Sequence, residues 1–128
     1  MPLFDYIQRA ESRKFTVKNS SDSPEIKYVD GIEVMLNREP SHDMLEQIAN
    51  DFIQYLPSAG VRGQIVSKDK LINTDHPFKS YSIFIGDTEV YRVMPVFGSN
   101  QVAIHQIPRT HYSKHILERY AKRLNLAR

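Results

Sequence analysis

Residues 81–107 read YSIFIGDTEVYRVMPVFGSNQVAIHQI, and this stretch decides the fold class. It contains three runs rich in β-branched and aromatic residues. Two short segments separate them, Gly86-Asp87 and Gly98-Ser99-Asn100, and their composition is typical of turns. Three such runs in succession predict a three-stranded antiparallel meander. Pro95 has no N–H to donate to a neighbouring strand, so it predicts a bulge or an edge in the middle run.

Two amphipathic helices are predicted on either side of the meander. The first lies between Pro40 and Pro57 and has Ser41 as its N-cap. Its apolar residues recur at helical spacing: Met44, Leu45, Ile48, Ala49, Phe52, Ile53 and Leu56. The second follows Pro108, with Thr110 as the expected cap. Its apolar stripe is made of Ile116, Leu117, Tyr120, Ala121 and Leu124.

The N-terminal part of the chain is predicted to contain a helix, a hairpin and two loops. Apolar residues spaced as on one helix face predict a short N-terminal helix: Leu3, Phe4, Ile7 and Ala10. Asp30-Gly31 favours a type I′ turn joining residues 26–29 to 32–37. The polar stretches 19–25 and 67–79 favour loops, with a short strand at 62–66 between them. The expected fold is therefore a single α+β domain over residues 1–128, in which a mainly antiparallel sheet packs with an N-terminal, a central and a C-terminal helix.

Composition excludes several kinds of chemistry. The chain has 128 residues, a formal net charge of +2 and no cysteine, so it has no disulfide, no thiolate nucleophile and no cysteine-ligated zinc. Its first residues carry charges instead of an apolar signal-peptide core, and no apolar run reaches the length of a membrane span. We therefore expect a soluble, cytoplasmic protein with no membrane partner.

Net positive charge is concentrated at the C-terminal end. Residues 109–128 hold six basic residues and one acidic residue, whereas residues 1–108 hold 11 basic and 14 acidic residues. A basic helix face of this kind is typical of contact with nucleic-acid phosphates. The residues expected to make that contact are Lys114, His115, Arg119, Lys122 and Arg123. The alternative is a solvated helix end whose cations offset the helix dipole.

A second group of residues suggests phosphodiester chemistry. His105 is predicted on an exposed face of the last strand, with Arg92 on the neighbouring strand. An imidazole that moves protons beside cations that stabilise phosphate charge is what a metal-independent ribonuclease needs. The candidate catalytic residues are Arg92, His105, Arg109, His111 and Tyr112. The alternative for His105 is a structural histidine, and enzymatic activity stays open.

No metal or cofactor is predicted. His111 and His115 are four residues apart on the expected helix, with Glu118 three further on, but the sequence identifies no third ligand and lacks the zinc-protease motif. Asp75-His76 fits either an imidazole oriented by a carboxylate or ordinary turn chemistry. There is also no glycine-rich phosphate loop, which argues against nucleotide cofactors.

Residues 85–112, IGDTEVYRVMPVFGSNQVAIHQIPRTHY, resemble the last strands of RelE/ParE-type toxins, small proteins directed at the ribosome or gyrase. The resemblance implies that Arg92, His105, Arg109 and Tyr112 occupy positions where the ribonuclease members carry working residues. The chain departs from that family before the sheet, where a helical hairpin is expected. On this basis RNA is preferred over DNA as the partner.

Two other classes of protein remain as alternatives, the first because of its similar order of elements. The chain also looks like small dimeric secretion chaperones and adaptors, which bind an extended partner segment without catalysis. A phage or plasmid accessory inhibitor is the third class. Both imply a protein partner, and the first implies a homodimer.

Overall fold

Six strands and two helices make up the described chain. The strands are β1 (Ile7–Ser20), β2 (Ser23–Leu36), β3 (Ile65–Ile72), β4 (Phe78–Ile85), β5 (Thr88–Pro95) and β6 (Gln101–Gln106). The helices are α1 (His42–Tyr55) and α2 (His115–Leu126), with 3-10 turns at Leu3–Asp5 and Leu56–Ala59. The computed structural model describes residues 3–20, 23–72, 78–96, 98–108 and 110–126.

The strands form one antiparallel sheet in the order β1-β2-β6-β5-β4-β3. The α+β class and the meander are confirmed, because β4, β5 and β6 are consecutive neighbours. Pro95 ends β5 and is paired with Val102 of β6. A ladder position at the end of a strand tolerates the missing N–H of proline.

Both helices pack on one face of the sheet. Alternate strand residues such as Ile32, Val93 and Ile104 join the buried side chains of α1 and α2 in one hydrophobic cluster. We call this side the helical face. The opposite side, which we call the far face, carries Glu33, Arg92, Met94, Ala103 and His105, and none of its residues belongs to that cluster.

The predicted N-terminal helix is wrong. Only Leu3–Asp5 form a 3-10 turn, and β1 begins at Ile7. Ile7 and Ala10 are both buried, although they are three residues apart, because the register of β1 against β2 shifts between Ile7 and Arg9. A bulge of this kind moves alternation by one residue. It therefore imitates the spacing of a helix face.

The predicted hairpin at Asp30-Gly31 is also wrong. Gly31 lies inside β2, where Arg13 of β1 and His105 of β6 are its partners on the two sides. Gly31 does not form a turn here. It allows Phe15 and the backbone of β6 to pack closely against β2. A Cβ at this position would lie 2.5 Å from the Phe15 ring and 2.7 Å from the carbonyl oxygen of Ile104.

Both predicted loops are shorter than expected. β1 continues to Ser20 and β2 starts at Ser23, so strand residues replace most of the 19–25 loop. β3 covers residues 65–72 and β4 starts at Phe78, so the 67–79 loop is largely strand as well. β3 is an edge strand, and its charged residues suit an edge that neighbouring molecules should not extend.

The predicted N-cap residue is confirmed for α1 and wrong for α2. The N–H of Met44 donates to Ser41 Oγ at 3.3 Å, which confirms Ser41 as the cap of α1. Thr110 does not cap α2, because its hydroxyl donates to the carbonyl of Ile107 at 2.8 Å and the helix starts only at His115. Ser113 Oγ accepts from the N–H of His115 instead.

Within the described ranges, neither helix has the length and apolar character needed to cross a membrane.

Candidate functional site

The basic residues of the C-terminal helix lie on its outer side. The buried side of α2 packs into the core through the residues expected from their spacing, Ile116, Leu117, Tyr120, Ala121 and Leu124. The residues predicted to contact nucleic acid are all exposed: Lys114, His115, Arg119, Lys122 and Arg123. We call these five residues the basic stripe. An exposed stripe follows from an amphipathic helix whose polar positions are mostly cationic.

Four described cations of the sheet have carboxylate partners, while a fifth, Lys68, lies 4.8 Å from the centroid of the Phe84 ring. On the sheet, Arg9 pairs with Glu11, Lys14 with Asp30, Arg13 with Glu33 and Arg92 with Glu89. In the stripe, His115 contacts Glu118 through Nδ1 at 2.8 Å. The other four cations form no ion pair with any carboxylate of the described chain. Their positive charge is therefore available to an outside anion.

Arg123 is held at the end of the stripe nearest α1. Its guanidinium lies 5.7 Å from the centroid of the Tyr55 ring, a cation–π arrangement. Burial raises the pKa of the Tyr55 hydroxyl, while the charges of Arg119 and Arg123 partly oppose that shift. The contact of Arg123 with Tyr55 therefore links the basic stripe to α1.

Arg92 and His105 are direct cross-strand partners on the far face. The prediction that His105 is exposed is wrong, since only 5% of its surface is accessible. Its Nδ1 lies 3.4 Å from the carbonyl oxygen of Gln106, and the Phe15 ring centroid is 6.0 Å away. Burial is the main cause that lowers the pKa of His105, and the nearby Arg92 charge acts in the same direction.

Arg13 and Arg92, the arginines next to His105 on the far face, are both paired with carboxylates. Glu89 Oε1 accepts from Nε and Nη2 of Arg92 at 3.2 and 2.8 Å. Glu33, with 2% of its surface accessible, pairs with Arg13 beside them. Neither pair was predicted. Arg13 and Glu33 lie on different strands, so their contact depends on a register that the sequence does not state. Glu89 and Arg92 lie on the same strand, on the two sides of an irregularity in the pairing of β4 with β5.

Tyr112 lies on the helical face, away from Arg92 and His105. Its ring centroid is 6.5 Å from that of Tyr91, a core residue. The side chain of Gln106 holds this segment by donating to the carbonyl oxygens of Thr110 and Tyr112 at 3.2 and 3.1 Å. The sheet therefore separates Tyr112 from the histidine with which it was predicted to act.

The other candidate catalytic and metal-binding residues do not complete a site. His111 is exposed and precedes α2, so the expected helical spacing of His111 and His115 is wrong. Arg109 and His76 lie outside the described residues. In the part of the chain that the structure describes, no group of three or more histidine or acidic residues is arranged to hold a metal ion.

Comparisons with protein-family models, with curated proteins and with solved structures found no match to this chain.

Proposed function

We propose that this protein binds the sugar–phosphate backbone of nucleic acid, with RNA as the preferred partner, through the basic stripe on α2. The observation that carries the proposal is the contrast in ion pairing. Arg9, Lys14 and Arg92 each have a carboxylate partner, whereas Arg119 and Lys122 are exposed and have none. Binding a phosphate then requires no internal ion pair to break.

The spacing of the stripe supports contact with several phosphates. Residues 115–123 span about 12 Å along the axis of α2 at the usual rise per residue, and Lys114 immediately precedes the helix. Neutralising phosphates releases condensed counterions, which makes affinity grow with the number of contacts and fall with added salt. The cation–π contact of Arg123 with Tyr55 fixes one end of the stripe, so less side-chain entropy is lost there on binding.

The proposal is restricted to binding. A ribonuclease needs its proton-transfer group and its phosphate-stabilising groups around one phosphodiester. In the described chain, Arg92 and His105 lie on the far face, and Tyr112 and the basic stripe lie on the other side of the sheet. Ribonuclease activity stays a prediction of the sequence. The preference for RNA derives from the resemblance of residues 85–112 to ribosome-directed toxins.

The test is a comparison of two triple variants that remove the same charge from different places. Arg119→Gln/Lys122→Gln/Arg123→Gln neutralises the stripe. Arg9→Gln/Arg62→Gln/Lys68→Gln removes three exposed cations elsewhere and serves as the control. Binding of a fluorescein-labelled single-stranded RNA is followed by anisotropy, together with DNA of the same sequence.

We expect the stripe variant to lose about tenfold or more in affinity for RNA, and the control to lose much less. Equal losses in the two variants would show non-specific attraction to net charge and overturn the proposal. Tighter binding of the DNA strand would overturn the preference for RNA. RNA incubated with the wild-type protein in EDTA and resolved on a gel tests cleavage separately.

A further inference from the structure

A cavity of about 450 Å³ opens on the far face, on the side of the sheet away from the helices. Its volume lies within the range of roughly 300–1,000 Å³ that is usual for small-molecule sites. Most of its described lining is apolar: Phe15, Met94, Pro95, Val96 and Ala103. The remaining described lining residues are Thr16, Arg92 and His105.

The cavity exists because small residues lie between large ones. Ala103 contributes only a methyl group to the floor, and Gly31, the β2 partner of His105, has no side chain that could enter the cavity. The Phe15 ring packs over Gly31, since a Cβ there would touch it. That ring therefore forms a wall on the β1 side, close to the imidazole of His105.

Arg92, at the polar end of the cavity, is held in place by Glu89. Glu89 binds Nε and Nη2 of Arg92 but is not among the described lining residues. A guanidinium has five N–H groups. The two N–H groups of Nη1 have no hydrogen-bond partner within the described ranges. The cavity thus contains a positioned, charged donor and no carboxylate of the described chain.

We propose that this cavity binds a small amphipathic monocarboxylate, an apolar ring or short chain that carries one carboxylate. Its carboxylate would accept charge-assisted hydrogen bonds from Nη1 of Arg92, which are stronger than hydrogen bonds between neutral groups. The apolar part would lie on Met94, Ala103 and the Phe15 ring and be removed from water. This site is independent of the basic stripe, which lies on the other side of the sheet.

The experiment uses a matched pair of probes, 4-phenylbutyrate and 4-phenylbutanol, titrated into ¹⁵N-labelled protein. We expect saturable shifts at the amides of Met94 and Ala103 and at the Nε–H of Arg92. The acid should bind about tenfold more tightly than the alcohol, because only the acid carries the charge that pairs with Arg92. Shifts at Arg119 and Lys122 instead would place the anion on the basic stripe and overturn the proposal.

Variants separate the charge from the shape of the site. Arg92→Gln should reduce affinity for the acid to that for the alcohol, whereas Arg62→Gln, at an exposed arginine outside the cavity lining, should change neither. Ala103→Leu fills the floor and should abolish binding of both probes, with circular dichroism checking that the variant is folded. Equal affinities of acid and alcohol for the wild type, or an unchanged preference in Arg92→Gln, would overturn the proposal.

Discussion

The side-chain amide of Asn125 in α2 forms two hydrogen bonds with the backbone of Ala10, at the outer edge of β1. Its Oδ1 accepts from the N–H of Ala10 at 2.8 Å, and its Nδ2 donates to the carbonyl of the same residue at 2.9 Å. β1 is an edge strand, whose outward backbone groups lack a neighbouring strand. The amide supplies both missing partners at that position, so it ties the C-terminal helix to the first strand.

Asn125→Ala should destabilise the protein by about 1–2 kcal/mol, because two backbone hydrogen bonds are lost at a partly buried position. Urea unfolding measures the change. Asn50→Ala, at an exposed position of α1, is the control and should cost nothing. Equal stability of the Asn125 variant and the wild type would show that water replaces the amide without cost.

Gly31→Ala should destabilise the protein by about 2 kcal/mol or more, since the added methyl group meets the Phe15 ring and the backbone oxygen of Ile104. Adding Phe15→Leu should recover only part of the loss, because the contact with the backbone remains. Thermal unfolding of the single and double variants tests this. A stable single variant would contradict the close approach of β1, β2 and β6 at this point.

Tyr91 and Tyr120 should respond in opposite ways to loss of the hydroxyl. The Tyr91 hydroxyl is buried without a hydrogen-bond partner in the described chain, whereas that of Tyr120 donates to Asp51 Oδ2 at 2.7 Å. Tyr91→Phe should leave the free energy of unfolding unchanged or raise it. Tyr120→Phe should lower it by about 1.5–3 kcal/mol, because the lost bond involves a charged acceptor. A larger loss in Tyr91→Phe would reveal a partner for its hydroxyl.

Stability should fall in mild acid because of His105. Burial lowers the pKa of this histidine in the folded protein, so the unfolded chain binds its proton first. The free energy of unfolding is then insensitive to His105 above the unfolded pKa of about 6.5, and it decreases as pH falls from there towards the folded pKa. His105→Gln should reduce the decrease, whereas His111→Gln, at an exposed position, should not. Urea unfolding at a series of pH values distinguishes the two, and identical profiles for His105→Gln and the wild type would contradict the argument.

RNA affinity should depend steeply on salt, and the basic stripe should account for the slope. Each phosphate contact on a single strand contributes about 0.7 to the slope of log affinity against log salt. Removing Arg119, Lys122 and Arg123 should therefore reduce the slope by about 2. Anisotropy titrations over a range of potassium chloride concentrations measure both slopes. A slope that the triple variant leaves unchanged would place the phosphate contacts elsewhere.

Local patterns in the sequence determined the meander, both long helices and the exposed position of the basic stripe. Their signals are short in range: the turn at Gly86-Asp87, the cap at Ser41, and apolar residues at the spacing of a helix face. The spacing of α2 also separates its cations from its buried side without reference to any other element.

Tertiary structure decided what depends on partners distant in the chain. The bulge in β1 gave Ile7 and Ala10 the spacing of a helix, and the close approach of Phe15 explained Gly31 where a turn was expected. The register of β5 against β6 placed Arg92 next to His105, and the segment after β6 brought Tyr112 to the other face, near Tyr91. A shift of one residue would reverse every such relation. Register is fixed by burial across the whole sheet, and no short stretch of sequence contains that information.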